Sequence, residues 1–136
     1  MAEGSYALLI AVDGPREIEV GALGGLSFDG WYVYSGSAFG PGGFARIDRH
    51  RESFADGVKQ PHWHIDYLAD NSATELAAVY ATEGEDIECR VARSLPGEPV
   101  PDFGCSDCDC RSHLVAGPRS ELEAALERLH DDRRFK

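Results

Sequence analysis

Residues 31–52 read WYVYSGSAFGPGGFARIDRHRE, and the parsing of this stretch decides the fold. Trp31, Tyr32, Val33 and Tyr34 are strong strand formers. Past a Ser-, Gly- and Pro-rich segment, Phe44 and Ile47 give one apolar helical face, with Arg46, Arg49, His50 and Arg51 largely off it. The stretch is therefore a strand, a glycine-rich turn and a helix that carries four basic side chains. That cluster stands out, because the 136-residue chain has a net charge of −11.

Working outward, SYALLIAVD is a strongly apolar strand, and GPREIEVGALGGL opens with a turn at Gly14-Pro15 before a short strand in which Ile18 and Val20 alternate with Glu17 and Glu19. After the first helix, HWHIDYLAD reads as a short helix or turn and TELAAVYATEG as a strand. In DIECRVARSLPG, Ile87, Val91 and Leu95 fall at i, i+4 and i+8, a helical stripe. PVPDFGCSDCDCRSHLVAG is irregular and closes with a short strand. PRSELEAALERLHDDRRF is a final helix over about 119–135, with Ser120 as N-cap and Leu122, Ala125, Leu126 and Leu129 on one stripe. The order β-β-β-α-β-α-β-α predicts one α+β domain over residues 1–136.

Composition narrows the setting. There is no run of about 18 apolar residues, which argues against a membrane-spanning helix. The start, MAEGSY, lacks the charged and apolar regions of a signal peptide, so a cytoplasmic location is expected. Of the 13 basic residues only Lys59 and Lys136 are lysines. An acid-rich, lysine-poor surface suits high salt, where repulsion is screened, and points to a halophilic source; an ordinary acidic protein is the alternative. Net acidity argues against nucleic-acid binding through overall charge but leaves room for a local basic site.

Hydrolysis of a phosphodiester needs an activated water and charge neutralisation at the phosphoryl oxygens. Tyr6 and Tyr34 can meet across adjacent strands and share one polar pocket, where a tyrosine near a cation orients or deprotonates water. Arg46 and His50, at i and i+4, share a helix face; the first can fork onto a phosphate and the second can exchange a proton near neutral pH. Each has a plainer alternative: half-buried strand tyrosines, and a solvated helix face in which the arginines pair with Asp48 and Glu52. Glu88 by itself is one of 24 acidic residues and carries no signal.

The order of landmarks gives it one. GSY (residues 4–6) at the head of the first strand and YSG (residues 34–36) at the end of its partner resemble the two signatures of the GIY-YIG nuclease superfamily. Arg46 and Glu88 fall where that superfamily keeps its functional arginine and its metal-binding glutamate. YVYSGSA, RIDRH, HWHIDYL, EC and FGCSDCDCRSHL look like its uncharacterised branch found stand-alone or fused to endonuclease III-like proteins, a likeness running from Gly4 to about Leu114. The resemblance implies a central antiparallel sheet flanked by helices and a Mg²⁺- or Mn²⁺-dependent nuclease, acting on nucleic acid with DNA the expected substrate, and a repair protein as a candidate partner. It implies Tyr6, Tyr34 and Arg46 as catalytic residues with Glu88 on the metal; His50, on the Arg46 helix face, and His64 complete the candidate catalytic set. Three departures stand out: Ser5 occupies the middle of the first signature, the gap between signatures is long, and Asn71, the only asparagine, does not match the late asparagine of many such nucleases. A non-catalytic nucleic-acid or nucleotide binding module is the alternative.

Two further clusters remain. His62, His64 and Asp66 alternate in HWHIDYL and would line one side, fit for a metal, if extended; if helical, His62 and Asp66 share a face, and the plainer alternative is that Trp63, Ile65, Tyr67 and Leu68 build core while the polar groups satisfy loops. Cys105, Cys108, Cys110 and His113 can form a zinc site, which would make a zinc-stabilised interaction module. All four donors crowd one short segment, however, whereas zinc ribbons bring two pairs from separate turns, so a reduced, metal-free loop is favoured. A disulfide framework is not expected in a cytosolic chain of this size.

Overall fold

The computed structural model describes residues 3–61, 63–104 and 112–135, the side chains of 132–135 excepted. The elements are β1 (Gly4–Glu19), a 3-10 turn (Gly21–Leu23), β2 (Gly25–Ala38), α1 (Ala45–Asp56), α2 (His64–Ala69), β3 (Thr74–Glu83), α3 (Glu88–Ser94), β4 (Glu98–Pro99), β5 (Leu114–Ala116), α4 (Arg119–Leu129) and β6 (Asp132–Phe135). They form an α+β fold built on one sheet of order β4-β5-β2-β1-β3-β6, antiparallel at every pairing.

Strand β1 lies at the centre, and both of its faces are covered, which is why its apolar run does not alternate with polar residues. Tyr6, Leu8, Ile10 and Val12 pack on one face against Phe44 and Ile47 beside and within α1 and Ile65 and Leu68 of α2. Ala7 and Leu9 pack on the other against Ile87, Val91 and Leu95 at α3 and Leu122, Ala125 and Leu126 of α4. Burying each of these larger aliphatic side chains stabilises the fold by about 1.5–3 kcal/mol.

Two expectations are corrected. The first strand does not turn at Gly14-Pro15. Pairing runs to Val12↔Gly30 and resumes at Arg16↔Phe28, so Asp13–Pro15 bulge out while β1 continues to Glu19. A bulge is where a strand tolerates proline, whose missing N–H no longer breaks a ladder bond. The final helix starts after Pro118 rather than at a Ser120 cap, and it stops at Leu129. His130 takes an extended backbone (φ −114, ψ 150), its ring lies 3.0 Å from the Thr82 hydroxyl of β3, and the chain then joins the sheet as β6. The short segment at 64–69 is a helix, one of the two forms expected, so its residues do not alternate across a strand; His62 lies outside the described residues.

Candidate functional site

Strand β5 pairs with β2 only at Tyr32–Tyr34. Beyond that point β2 presents its remaining groups to loops and to α1. The Ser35 N–H donates to the His113 carbonyl at 2.8 Å, and the Ser37 carbonyl accepts from Arg46 Nη1 at 2.7 Å. The candidate residues gather at this end of the sheet.

Both signature glycines have a steric reason to be there. A Cβ on Gly36 would sit 2.4 Å from the Tyr6 ring and 2.5 Å from its hydroxyl, so the ring passes directly over Gly36. A Cβ on Gly4 would sit 2.1 Å from the Thr82 carbonyl oxygen of the neighbouring strand. Ser5 is no loose substitute in the first signature. Its hydroxyl donates to the Glu85 carbonyl at 2.8 Å and accepts from the Ile87 N–H at 2.9 Å, which fixes the approach to α3. Ser35 does the same one step later, donating to the Glu88 carbonyl at 2.7 Å.

Tyr6 is buried, and its hydroxyl lies 2.8 Å from His50 Nε2. Burial pushes the phenol well above its usual pKa of 10.0, with the neighbouring Tyr34 and Glu88 adding to the shift and Arg46 and Arg49 opposing it. All four side chains therefore act electrostatically on the Tyr6 oxygen. The Tyr34 ring also faces His50, at 6.3 Å between centroids. His50 is not on a solvated helix face. It is buried against the core, and burial holds its pKa down at about 4; Arg46 and Arg49 reinforce this while Asp66 opposes it. At neutral pH it is uncharged.

Arg46 is anchored rather than solvated. Besides its bond to Ser37, its guanidinium stacks over Trp63 at 5.2 Å, and its Nε is buried with no hydrogen-bond partner among the described residues. The basic cluster divides: Arg46, Arg49 and His50 act at Tyr6, whereas Arg51 makes a loose 3.9 Å ion pair with Asp48.

Glu88 begins α3, on the sheet face opposite Tyr6, yet its carboxylate is within electrostatic reach of Tyr6 and Arg46. Burial, helped by the charge of Asp86 and opposed by Arg46, raises its pKa to about 7. Its Oε2 lies 3.4 Å from His113 Nδ1. His64 takes a supporting part: Nδ1 accepts the Gly104 N–H at 2.8 Å, and the ring packs on Phe103, which in turn packs on Tyr34. Asp66 is spent as a helix cap, accepting the Trp63 N–H at 3.0 Å.

The sequence did not reveal the buried Tyr6–His50 contact or the approach of Cys89 to His113, at 3.7 Å between Sγ and Nε2. Cys89 is disulfide-bonded, which corrects the expectation of free thiols. That expectation rested on compartment, while the docking of α3 decides what its first turn meets. Cys105, Cys108 and Cys110 lie outside the described residues; His113 is described, and it faces Glu88 and Cys89.

A groove of about 980 Å³ lies at the other end of the central hairpin, lined by Val12, Asp13, Gly30, Trp31, Glu52 and Thr74 among others. Of the residues above it takes only the Asp48–Arg51 pair. Among the described residues, no helix is long and apolar enough to cross a membrane.

No curated protein and no solved structure matches the chain. One family model does, over residues 5–134, and on that match the chain belongs to the family described as a domain of unknown function, DUF123.

Proposed function

We propose that the protein is a divalent-cation-assisted phosphodiesterase of GIY-YIG type, acting on nucleic acid, and on DNA in particular, in the cytoplasm. The observation that carries this reading is the buried Tyr6 hydroxyl 2.8 Å from His50 Nε2, at a place where Tyr34, Arg46 and Glu88 are near enough to bear on its pKa. The Arg46 guanidinium, anchored through Nη1 on the Ser37 carbonyl, carries further N–H donors of the kind that suit a phosphate. Tyr6 acts as a neutral phenol, since burial opposes its ionisation. In the tautomer with Nε2 unprotonated, its proton is donated to His50, and a lone pair is left to orient the attacking water.

Glu88 fits a hard cation of the Mg²⁺ or Mn²⁺ class in its chemistry, since such an ion takes one or two carboxylates and keeps its waters. When bound, the ion would neutralise phosphoryl charge and acidify a water. The ordinary acidic surface and the basic pocket are compatible, because Arg46 and Arg49 supply positive charge locally.

A second reading is a module that holds a nucleic-acid end without cutting it. The burial of Tyr6 favours it, because a sunken phenol is less accessible to a reacting phosphate. A screen of labelled single-stranded, duplex and branched DNA and RNA, with Mg²⁺ or Mn²⁺ in high-salt buffer, separates the two. Cation-dependent cleavage supports the enzyme. Binding without any cleavage across the set selects the module, and neither binding nor cleavage defeats both. The same binding data, repeated with repair proteins present, address a repair partner.

A further inference from the structure

Three side-chain donors, an oxygen, a sulfur and a nitrogen, meet beside the proposed catalytic residues. Glu88 and Cys89 form the first turn of α3, and His113 lies immediately before β5. One ligand atom from each falls within 4.8 Å of the others. His113 is held from both sides of its backbone, its N–H donating to the Phe103 carbonyl and its carbonyl accepting from the Ser35 N–H, both at 2.8 Å. Its ring is buried, with Nδ1 toward Glu88 and Nε2 toward Cys89.

This is not the donor set of a hard cation. Mg²⁺ takes oxygen ligands, whereas a thiolate and an imidazole beside a carboxylate suit Zn²⁺ and its neighbours. Three protein ligands with a fourth position open is also an arrangement zinc adopts. In the disulfide-bonded form, Cys89 has no thiolate to offer. A dithiol reductant supplies it. One thiolate attacks the disulfide and forms a mixed disulfide, and the second thiol closes on the first. The reductant leaves as its own disulfide, and two electrons and two protons pass to the protein's sulfurs. The Cys89 thiol then gives its proton to solvent as the metal enters.

We propose that Glu88, Cys89 and His113 form a thiol-gated site for a transition-metal ion of the Zn²⁺ class. The site is closed while Cys89 is in its disulfide and opens on reduction. Because Glu88 is shared, the soft ion competes with the hard ion for one carboxylate; that consequence rests on the function proposed above, while the binding itself does not.

The test uses the full chain without nucleic acid. Protein reduced with excess dithiothreitol and desalted under argon is titrated with Co²⁺, a spectroscopic stand-in for Zn²⁺. The expected result is a thiolate-to-Co²⁺ charge-transfer band in the reduced protein, absent from the unreduced protein and lost or sharply weakened in Cys89→Ser. Far-UV circular dichroism checks that this variant folds. Glu88→Gln and His113→Gln, which leave the thiol in place, should keep the band but weaken Co²⁺ binding at least ~10-fold. Two results would overturn the proposal. One is no uptake by reduced wild type. The other is titration of folded Cys89→Ser indistinguishable from wild type, which would assign the metal to the remaining cysteines. Either outcome leaves the cleavage screen unaffected.

Discussion

The two ends of the central hairpin make different uses of the same strands. At one end, around Gly4 and Ala38, the described site is tight: Tyr6 and His50 are buried, and Arg46 is tied to a strand carbonyl. At the other, around Val12 and Gly30, the chain opens a groove of about 980 Å³ whose lining includes Asp13, Asp48, Glu52, Asp56 and Glu75 against Arg51. The groove has the volume, but an acid-lined surface repels a phosphate. The tight end has less space and more chemistry, with one cation anchored and one carboxylate held near neutrality. Perturbed groups in mutual contact, rather than room alone, mark the site.

The largest expected effect separates these ends by activity. Arg46→Ala should lower cleavage by about 10²–10³-fold, the loss typical of removing one charge-stabilising donor. Asp13→Asn and Glu75→Gln, in the groove, should leave the rate within about twofold. Equal losses at both ends in single-turnover assays would erase the distinction.

Next comes Gly36→Ala. The added methyl meets the Tyr6 ring at 2.4 Å, so ring or strand must move. Overpacking of this kind costs about 1–3 kcal/mol, and activity should fall with stability. Thermal melts and kinetics on the same protein check both; an unperturbed melting temperature would mean that Tyr6 is not held over Gly36.

A pH series sharpens the comparison further. His50 and His130 each have a folded pKa of about 4 against an ordinary 6.5. Between those values the unfolded chain binds protons that the folded chain refuses, so the stability present above pH 6.5 is lost as pH falls toward 4. Glu88 runs the other way. Its folded pKa of about 7 exceeds the ordinary 4.5, so its charging costs stability as pH rises from 4.5 to 7. Two histidines oppose one glutamate, and net stability should fall on acidification below 6.5. Glu88→Gln should raise stability at pH 8 by about 1 kcal/mol in cation-free buffer, a figure reduced for the solvent that screens this partly exposed carboxylate, while cation-dependent activity of wild type should climb through pH 7. Chemical denaturation at stepped pH measures the first two effects. A Glu88→Gln protein less stable than wild type at pH 8 would show that the carboxylate is not held at a cost.

The smallest and most diffuse effect is salt. At −11, the chain repels itself, and screening tightens from about 10 Å at 0.1 M to about 3 Å at 1 M. Melting midpoints should climb toward molar NaCl or KCl. A flat curve above about 0.2 M would remove the case for a halophilic source.

Much of this was legible in the chain. Periodicity located the paired strands, α1 and the stripe of α3, and the order of Tyr6, Tyr34, Arg46 and Glu88 anticipated one electrostatic neighbourhood. What escaped depended on tertiary placement. Pro15 reads as a turn, and only a bulge opposite Phe28 and Gly30 lets β1 run through it. The stripe of α4 gives no stop signal, because the stop is the docking of His130 on Thr82, 48 residues away in sequence. His50 looks like part of a solvated basic face until Tyr6 and the core cover it. Cys89 and His113 lie 24 residues apart, and no spacing rule joins them.

On the proposed function, phosphate is handled at the Tyr6–Arg46 end and not in the groove. Backbone amide chemical shifts test it most directly. Isotope-labelled protein is titrated with a short single-stranded DNA in EDTA, so that binding is read without cleavage. Saturable shifts are expected at Tyr6, Gly36, Ser37 and Arg46, and they should vanish in Arg46→Ala. Shifts centred on Asp13, Trp31 and Thr74, unchanged in Arg46→Ala, would contradict it.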